Sequence, residues 1–209
     1  MKKLILIIIS ALICGVAFVS CNSDTTDEKN SVCVKIIKSS PGTTVLSKSE
    51  MGIVKNLFNR NQLDYTKCLF TQFQQDELGY YHIRCYQFAN NLIVFTSDAI
   101  FHFDQNGNYY FLSGKLINNI DLDTKPSMDK NKVAQLFKSM LVQDGNTALV
   151  DNCFDIEFGY YDLNAFSSTA NGNFTKAWKI YPANREYPYA YINDENSEII
   201  TYDNGIILN

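Results

Sequence analysis

The 209-residue chain carries 13 Tyr and 14 Phe against only 4 Pro, the composition of an ordered, strand-rich globule rather than a disordered chain. Its net charge of −4 supplies no basic patch of the kind a nucleic-acid partner requires. At the N-terminus Lys2 and Lys3 precede an apolar run over residues 4–19, and Ser20 precedes Cys21. A basic start, an apolar centre and a small residue before the cut site make an export signal over residues 1–20. The run falls short of the roughly 18 or more apolar residues of a spanning helix. Residues 22–31 are polar throughout and predict a solvated leash.

The Ser20-Cys21 junction resembles a bacterial lipoprotein signal, whereas Cys14 follows the bulky Ile13 and makes a poor cleavage site. The resemblance implies lipidation of Cys21, and several acyl chains hold a protein on a membrane far more firmly than one. It further implies a cell-envelope protein anchored at the outer membrane, on either its periplasmic or its surface side. Asp24, Asp27 and Glu28 resemble the acidic stretch that routes some Bacteroidetes lipoproteins to the cell surface.

Four cysteines remain beyond Cys21: Cys33, Cys68, Cys85 and Cys153. Four cysteines allow three pairings. A hairpin turning at Asp76-Glu77-Leu78-Gly79 puts Cys68 and Cys85 on one face, so that pair is conceivable. Buried free thiols are the expectation, because a domain of this size forms a core without staples. No CxxC occurs, and the two histidines, His82 and His102, sit in strand-like segments, so no metal site is expected.

After a lead-in to residue 45, a helix-then-strands order occurs twice. Ser47 and Glu50 form a capping box, and Met51, Val54, Leu57 and Phe58 follow at helical spacing. Strands are expected over 68–75, 80–88, 93–95, 99–104 and 109–113, with an Asn-Gly hairpin signal at Asn106-Gly107. A second helix starts from Ser127 as N-cap and presents Val133, Leu136, Phe137, Met140 and Leu141. Strands follow to Tyr161, over 175–181, 187–193 and 198–202. Trp178 is expected in the core, packed on Leu136, Phe137 and Met140. The fold class is α+β: two modules, 46–125 and 126–209, each an antiparallel sheet with one face against a helix.

Residues 82–88, 91–95 and 99–107 resemble the fungalysin/thermolysin propeptide module. There a strand ending in an aromatic plus glutamine (Tyr86-Gln87) leads to a Val-Phe pair (Val94-Phe95) and a hairpin closed by Asp-x-x-Gly (Asp104 to Gly107). Residues 126–141, 177–180 and 191–200 resemble a PepSY module, with Trp178 and Tyr191-Ile192-Asn193-Asp194 at its signature positions. In secreted metalloprotease precursors this pair precedes a catalytic domain with His-Glu-x-x-His, and no such motif occurs here. The resemblance implies a pro-region's work, holding a protease or blocking its cleft, by a non-enzyme without cofactors. Its expected partner is a secreted or envelope protease.

The residues themselves offer little for catalysis. A His-based triad needs a nucleophile, a base and an orienting group brought together, and Asp121 with Asp123, or Asp194 with Glu195, could be read as a carboxylate pair. Solvated or capping carboxylates and partly buried strand histidines are the expectation instead. Among the tyrosines, Tyr187, Tyr189 and Tyr191 share one strand face by their spacing of two, and exposed aromatics suit protein interfaces and sugar stacking alike. Ile206, Ile207 and Leu208 form a short apolar tail, either a ligand for a protease cleft or the end of the last strand. Two functions therefore stand side by side: a protease-binding lipoprotein, or an envelope lipoprotein that binds a glycan through its aromatic face.

Overall fold

The computed structural model describes residues 32–117, 119–167 and 172–206. The export signal, Cys21, the polar leash and the tail residues Ile207 and Leu208 lie outside the described residues. No helix among the described residues is long and apolar enough to cross a membrane.

The elements run β1 (Val34–Ile37), α1 (Lys48–Arg60), β2 (Cys68–Gln75), β3 (Tyr81–Ala89), β4 (Leu92–Val94), β5 (Ala99–Phe103) and β6 (Tyr109–Ser113). Then come α2 (Lys130–Gln143), β7 (Phe154–Asp162), β8 (Phe174–Pro182), β9 (Tyr189–Asn193) and β10 (Ile199–Asp203). Both helices are thus followed by strands, but the strands do not form two sheets. They make one ten-stranded sheet ordered β10-β9-β8-β7-β4-β3-β5-β6, with β1 added to β7 and β2 to β3. Two of the pairings, β1–β7 and β4–β7, are parallel where antiparallel sheets were expected.

Helix α1 starts as its sequence dictates. The Ser47 hydroxyl accepts the Glu50 N–H, and Glu50 Oε2 accepts the Ser47 N–H at 2.8 Å. Met51, Val54, Leu57 and Phe58 are buried against Phe70, Ile83, Cys85, Phe101 and Phe103. Phe58 meets Phe70 edge-on at 5.3 Å, an arrangement that aromatic quadrupoles favour. Helix α2 corrects the expected cap. Asp129, not Ser127, is the N-cap and accepts the Asn131 N–H at 2.8 Å. The Ser127 N–H is instead drawn to Asp194 Oδ2 at 2.7 Å.

Side chains alternate across each strand, so the residues packed on the helices define one face. Phe154, Ile156, Trp178, Ile180, Ala190 and Ile192 pack with α2, in the same cluster as Phe137, Met140 and the partly buried Leu136. Trp178 is core, as expected. The intervening residues, among them Glu157, Lys179 and Tyr191, point to the face that neither helix covers.

The seam between the two halves depends on Gly159. There Ile93 pairs with Gly159 and Val94 with Tyr160. A Cβ at Gly159 would lie 2.5 Å from the Ile93 carbonyl oxygen and 2.9 Å from Phe95 Cε2. Gly159→Ala should therefore destabilise the fold by about 1–3 kcal/mol, the usual effect of overpacking a close contact. Urea unfolding would measure it.

The thiols divide in a way that composition did not reveal. Cys68 and Cys85 are free and buried, whereas Cys33 and Cys153 form a disulfide. The expectation of free thiols fails for this second pair because β1, inside what reads as lead-in, is a strand of the sheet. Parallel pairing of Val34 with Phe154 brings the preceding cysteines to a Cα separation of 4.6 Å, within the reach of a disulfide. The hydrogen bond with Cys68 and burial together push the Cys85 thiol far above its usual range, so it stays protonated.

Candidate functional site

The uncovered face of β8 and β9 holds an aromatic cleft of about 450 Å³ around Lys179. Register builds it: Lys179 lies between Glu157 on β7 and Tyr191 on β9. All three alternate away from the Trp178 side. Tyr86 on β3 contributes the far wall.

The tyrosines singled out by spacing are brought together. The ring centroids of Tyr187 and Tyr189 are 5.5 Å apart, and those of Tyr189 and Tyr191 5.6 Å. Tyr191 continues the series inward to Tyr161 at 5.0 Å and Phe95 at 5.1 Å. Tyr187 does not belong to β9. It precedes the strand through a cis bond to Pro188 and is 46 % exposed, while Tyr191 is mostly covered. Ile206 is placed just beyond β10 and is exposed. At the neighbouring Gly205, whose φ is 76°, an added Cβ would lie only 2.8 Å from the Tyr187 ring. The outgoing chain therefore passes against the outermost tyrosine.

Sequence reasoning missed Lys179. Its Nζ lies 5.5 Å from the Tyr181 ring centre, 5.7 Å from Tyr189 and 6.0 Å from Tyr191, within cation–π range. Burial pulls its pKa below the usual lysine range, against the opposing pull of Glu157 and Glu186. Burial, with the Asp203 charge behind it, pushes Tyr189 up to about 12. Glu157, opposite the lysine, accepts the Ser39 N–H on its Oε1 at 2.6 Å. Among the described residues Lys179 makes no ion pair. One signal was present in the sequence: a lysine between Trp178 and Ile180 in a strand core must point away from them.

The cleft's groups are those of a recognition surface. A partly desolvated ammonium among aromatic faces attracts an acidic group, and the rings supply rigid contact area at small entropic cost. Arg185 and Glu186 sit at its rim. Three of the carboxylates considered for glycosidic chemistry surround Lys176 instead, Glu195 among them at 3.9 Å. Asp194, with a fully buried side chain, and Asp123 both face the buried Lys176, at 3.7 and 3.3 Å.

Two comparisons with known proteins give a match. The family model described as Fungalysin/Thermolysin Propeptide Motif matches residues 72–116, which run from within β2 past the end of β6. That stretch includes Tyr86 of the cleft wall. The Bacillus megaterium YpeB C-terminal domain is a similar solved structure, at TM-score 0.40 and 8 % identity, covering 81 % of this chain and 70 % of that one. No curated protein matches the sequence.

Proposed function

We propose that this chain is a non-catalytic, membrane-tethered binding protein of the pro-region kind, which docks a secreted or envelope protease as an inhibitor or folding helper. The observation that carries this reading is the tyrosine cleft around Lys179, on the uncovered face of a sheet whose other half matches a propeptide motif. Clustered tyrosines are the composition of an interface hot spot, and the half-buried Lys179 would take an acidic side chain of the partner. The tail from Ile206 to Leu208 would add as an extended strand beside the partner's cleft. Lipidation at Cys21 would hold the assembly at the outer membrane.

Titrating the full-length chain into a thermolysin-type metalloprotease should abolish peptidase activity through a one-to-one complex. Failure to form any complex would contradict the reading. Deleting residues 206–209 should weaken that complex without changing the melting temperature, and a large fall in melting temperature would make the tail structural. Cys21→Ala should move the protein from the membrane fraction to the soluble fraction. The exposed Tyr187 ring equally suits stacking on a sugar, so a glycan array that retains the chain through Tyr187 would favour the glycan-binding reading instead.

A further inference from the structure

On the same uncovered face, but on β3 and β5, His82 and His102 are direct cross-strand partners. Their Nδ1 atoms face each other at 2.7 Å. Each outer nitrogen is held by an oxygen: His82 Nε2 by Asp76 Oδ2 at 3.2 Å, and His102 Nε2 by Ser113 Oγ at 2.9 Å. Asp76 is itself fixed, because its Oδ1 accepts the N–H groups of Leu78 at 3.0 Å and Tyr80 at 2.9 Å. The chain of four side chains is continuous and directional. With both rings neutral, the carboxylate accepts from His82 Nε2–H, His82 Nδ1 accepts from His102 Nδ1–H, and His102 Nε2 accepts from the Ser113 hydroxyl.

We propose that His82 and His102 form a binding site for a divalent transition-metal ion of the zinc class, bound through the two Nδ1 atoms and completed by solvent. Imidazole nitrogens suit zinc, copper and nickel. The outer partners are those of a built metal site, since ligating histidines ordinarily donate their second N–H to a carboxylate or another oxygen. Ser113 makes the exchange possible. When the metal takes His102 Nδ1, the proton once carried there is carried on Nε2, and the hydroxyl turns from donor to acceptor. Both rings stay neutral, and both outer nitrogens keep a partner.

Two nitrogens on one tetrahedral zinc at about 2.05 Å stand roughly 3.3 Å apart. The rings must therefore separate by about 0.6 Å from their present 2.7 Å, and each must turn by roughly 35° so that both lone pairs converge on the ion. The His82 side chain is 26 % exposed and His102 is partly exposed, so water can fill the remaining positions. Among the described residues no cluster of three or more His, Cys, Asp or Glu is arranged to hold a metal. The protein thus supplies two ligands, and the site stays open on its outer side. Next along the face, Arg84 and Asp98 are paired with each other and leave the histidines uncontested.

Titrating the full-length chain with Zn²⁺ against a chromogenic zinc indicator should reveal one saturable site. His82→Gln and His102→Gln should each abolish it, and added zinc should raise the melting temperature of the parent chain but not of either variant. Asp76→Asn keeps both ligands and the turn yet removes the charged outer partner, so it should weaken binding by about 10–100-fold. If a histidine variant does not fold, this variant decides the matter. No saturable zinc uptake by the parent chain, or uptake that survives the double histidine substitution, would overturn the proposal.

Discussion

Replacing Asp194 with alanine should cost about 3–5 kcal/mol, the usual penalty for stranding the partners of a buried charge. Its side chain is fully buried in the hairpin turn after β9 and gathers several donors. Oδ1 accepts the Trp178 indole N–H at 2.8 Å and the Met128 N–H at 2.9 Å, and Oδ2 accepts the Ser127 N–H at 2.7 Å. The Lys176 ammonium, with a side chain only 5 % exposed, stands 3.7 Å away. One carboxylate therefore ties the lead-in of α2 to two strands of the sheet. Its loss leaves buried N–H groups without acceptors, and at this chain length the melting temperature should fall by roughly 10 °C. Trp178→Ala should cost a similar 3–5 kcal/mol, here by opening a cavity under Phe137 and Met140. Glu195→Ala, on the exposed side of the same turn, should change little. An Asp194→Ala protein that melts within about 2 °C of the parent, a shift worth less than roughly 1 kcal/mol, would refute this account of the second half.

The Cys33–Cys153 bond should contribute comparably. It joins residues 120 positions apart, and in the chain-entropy model a loop of about 100 residues gives roughly 4–5 kcal/mol. The bond also fastens β1, only four residues long, to the edge of β7, where Val32 and Val34 pack on the α2 core. Cys33→Ser with Cys153→Ser should lower the urea midpoint strongly, and a reductant should do the same to the parent chain alone. A double variant with an unchanged midpoint would show that β1 holds without its staple.

What could be read from the sequence was local. The Ser47–Glu50 box, the apolar face of α1 and the turn at Asp76 depend on residues close together in the chain, and all three are present in the structure. The cap of α2 passed to Asp129, two residues on, while Asp194 holds the Ser127 N–H from 67 residues away and fixes the segment before the helix. Strand β1, the disulfide and the single sheet were not legible, since parallel pairing between distant segments leaves no periodic trace. The site shows the same division. A spacing of two aligned Tyr189 with Tyr191, but Lys179 enters only through the β8–β9 register, and Tyr86 comes from the other half of the chain. His82 and His102 read as ordinary strand residues until β3 and β5 pair them directly.

The Lys179–tyrosine cleft is the proposed docking site for a protease. Its most direct test is the inhibition constant of Lys179→Ala combined with Tyr189→Ala against a thermolysin-type metalloprotease. Truncating two hot-spot side chains should weaken inhibition by at least about thirtyfold, or roughly 2 kcal/mol, while circular dichroism shows the fold intact. An inhibition constant equal to that of the parent chain would contradict the claim.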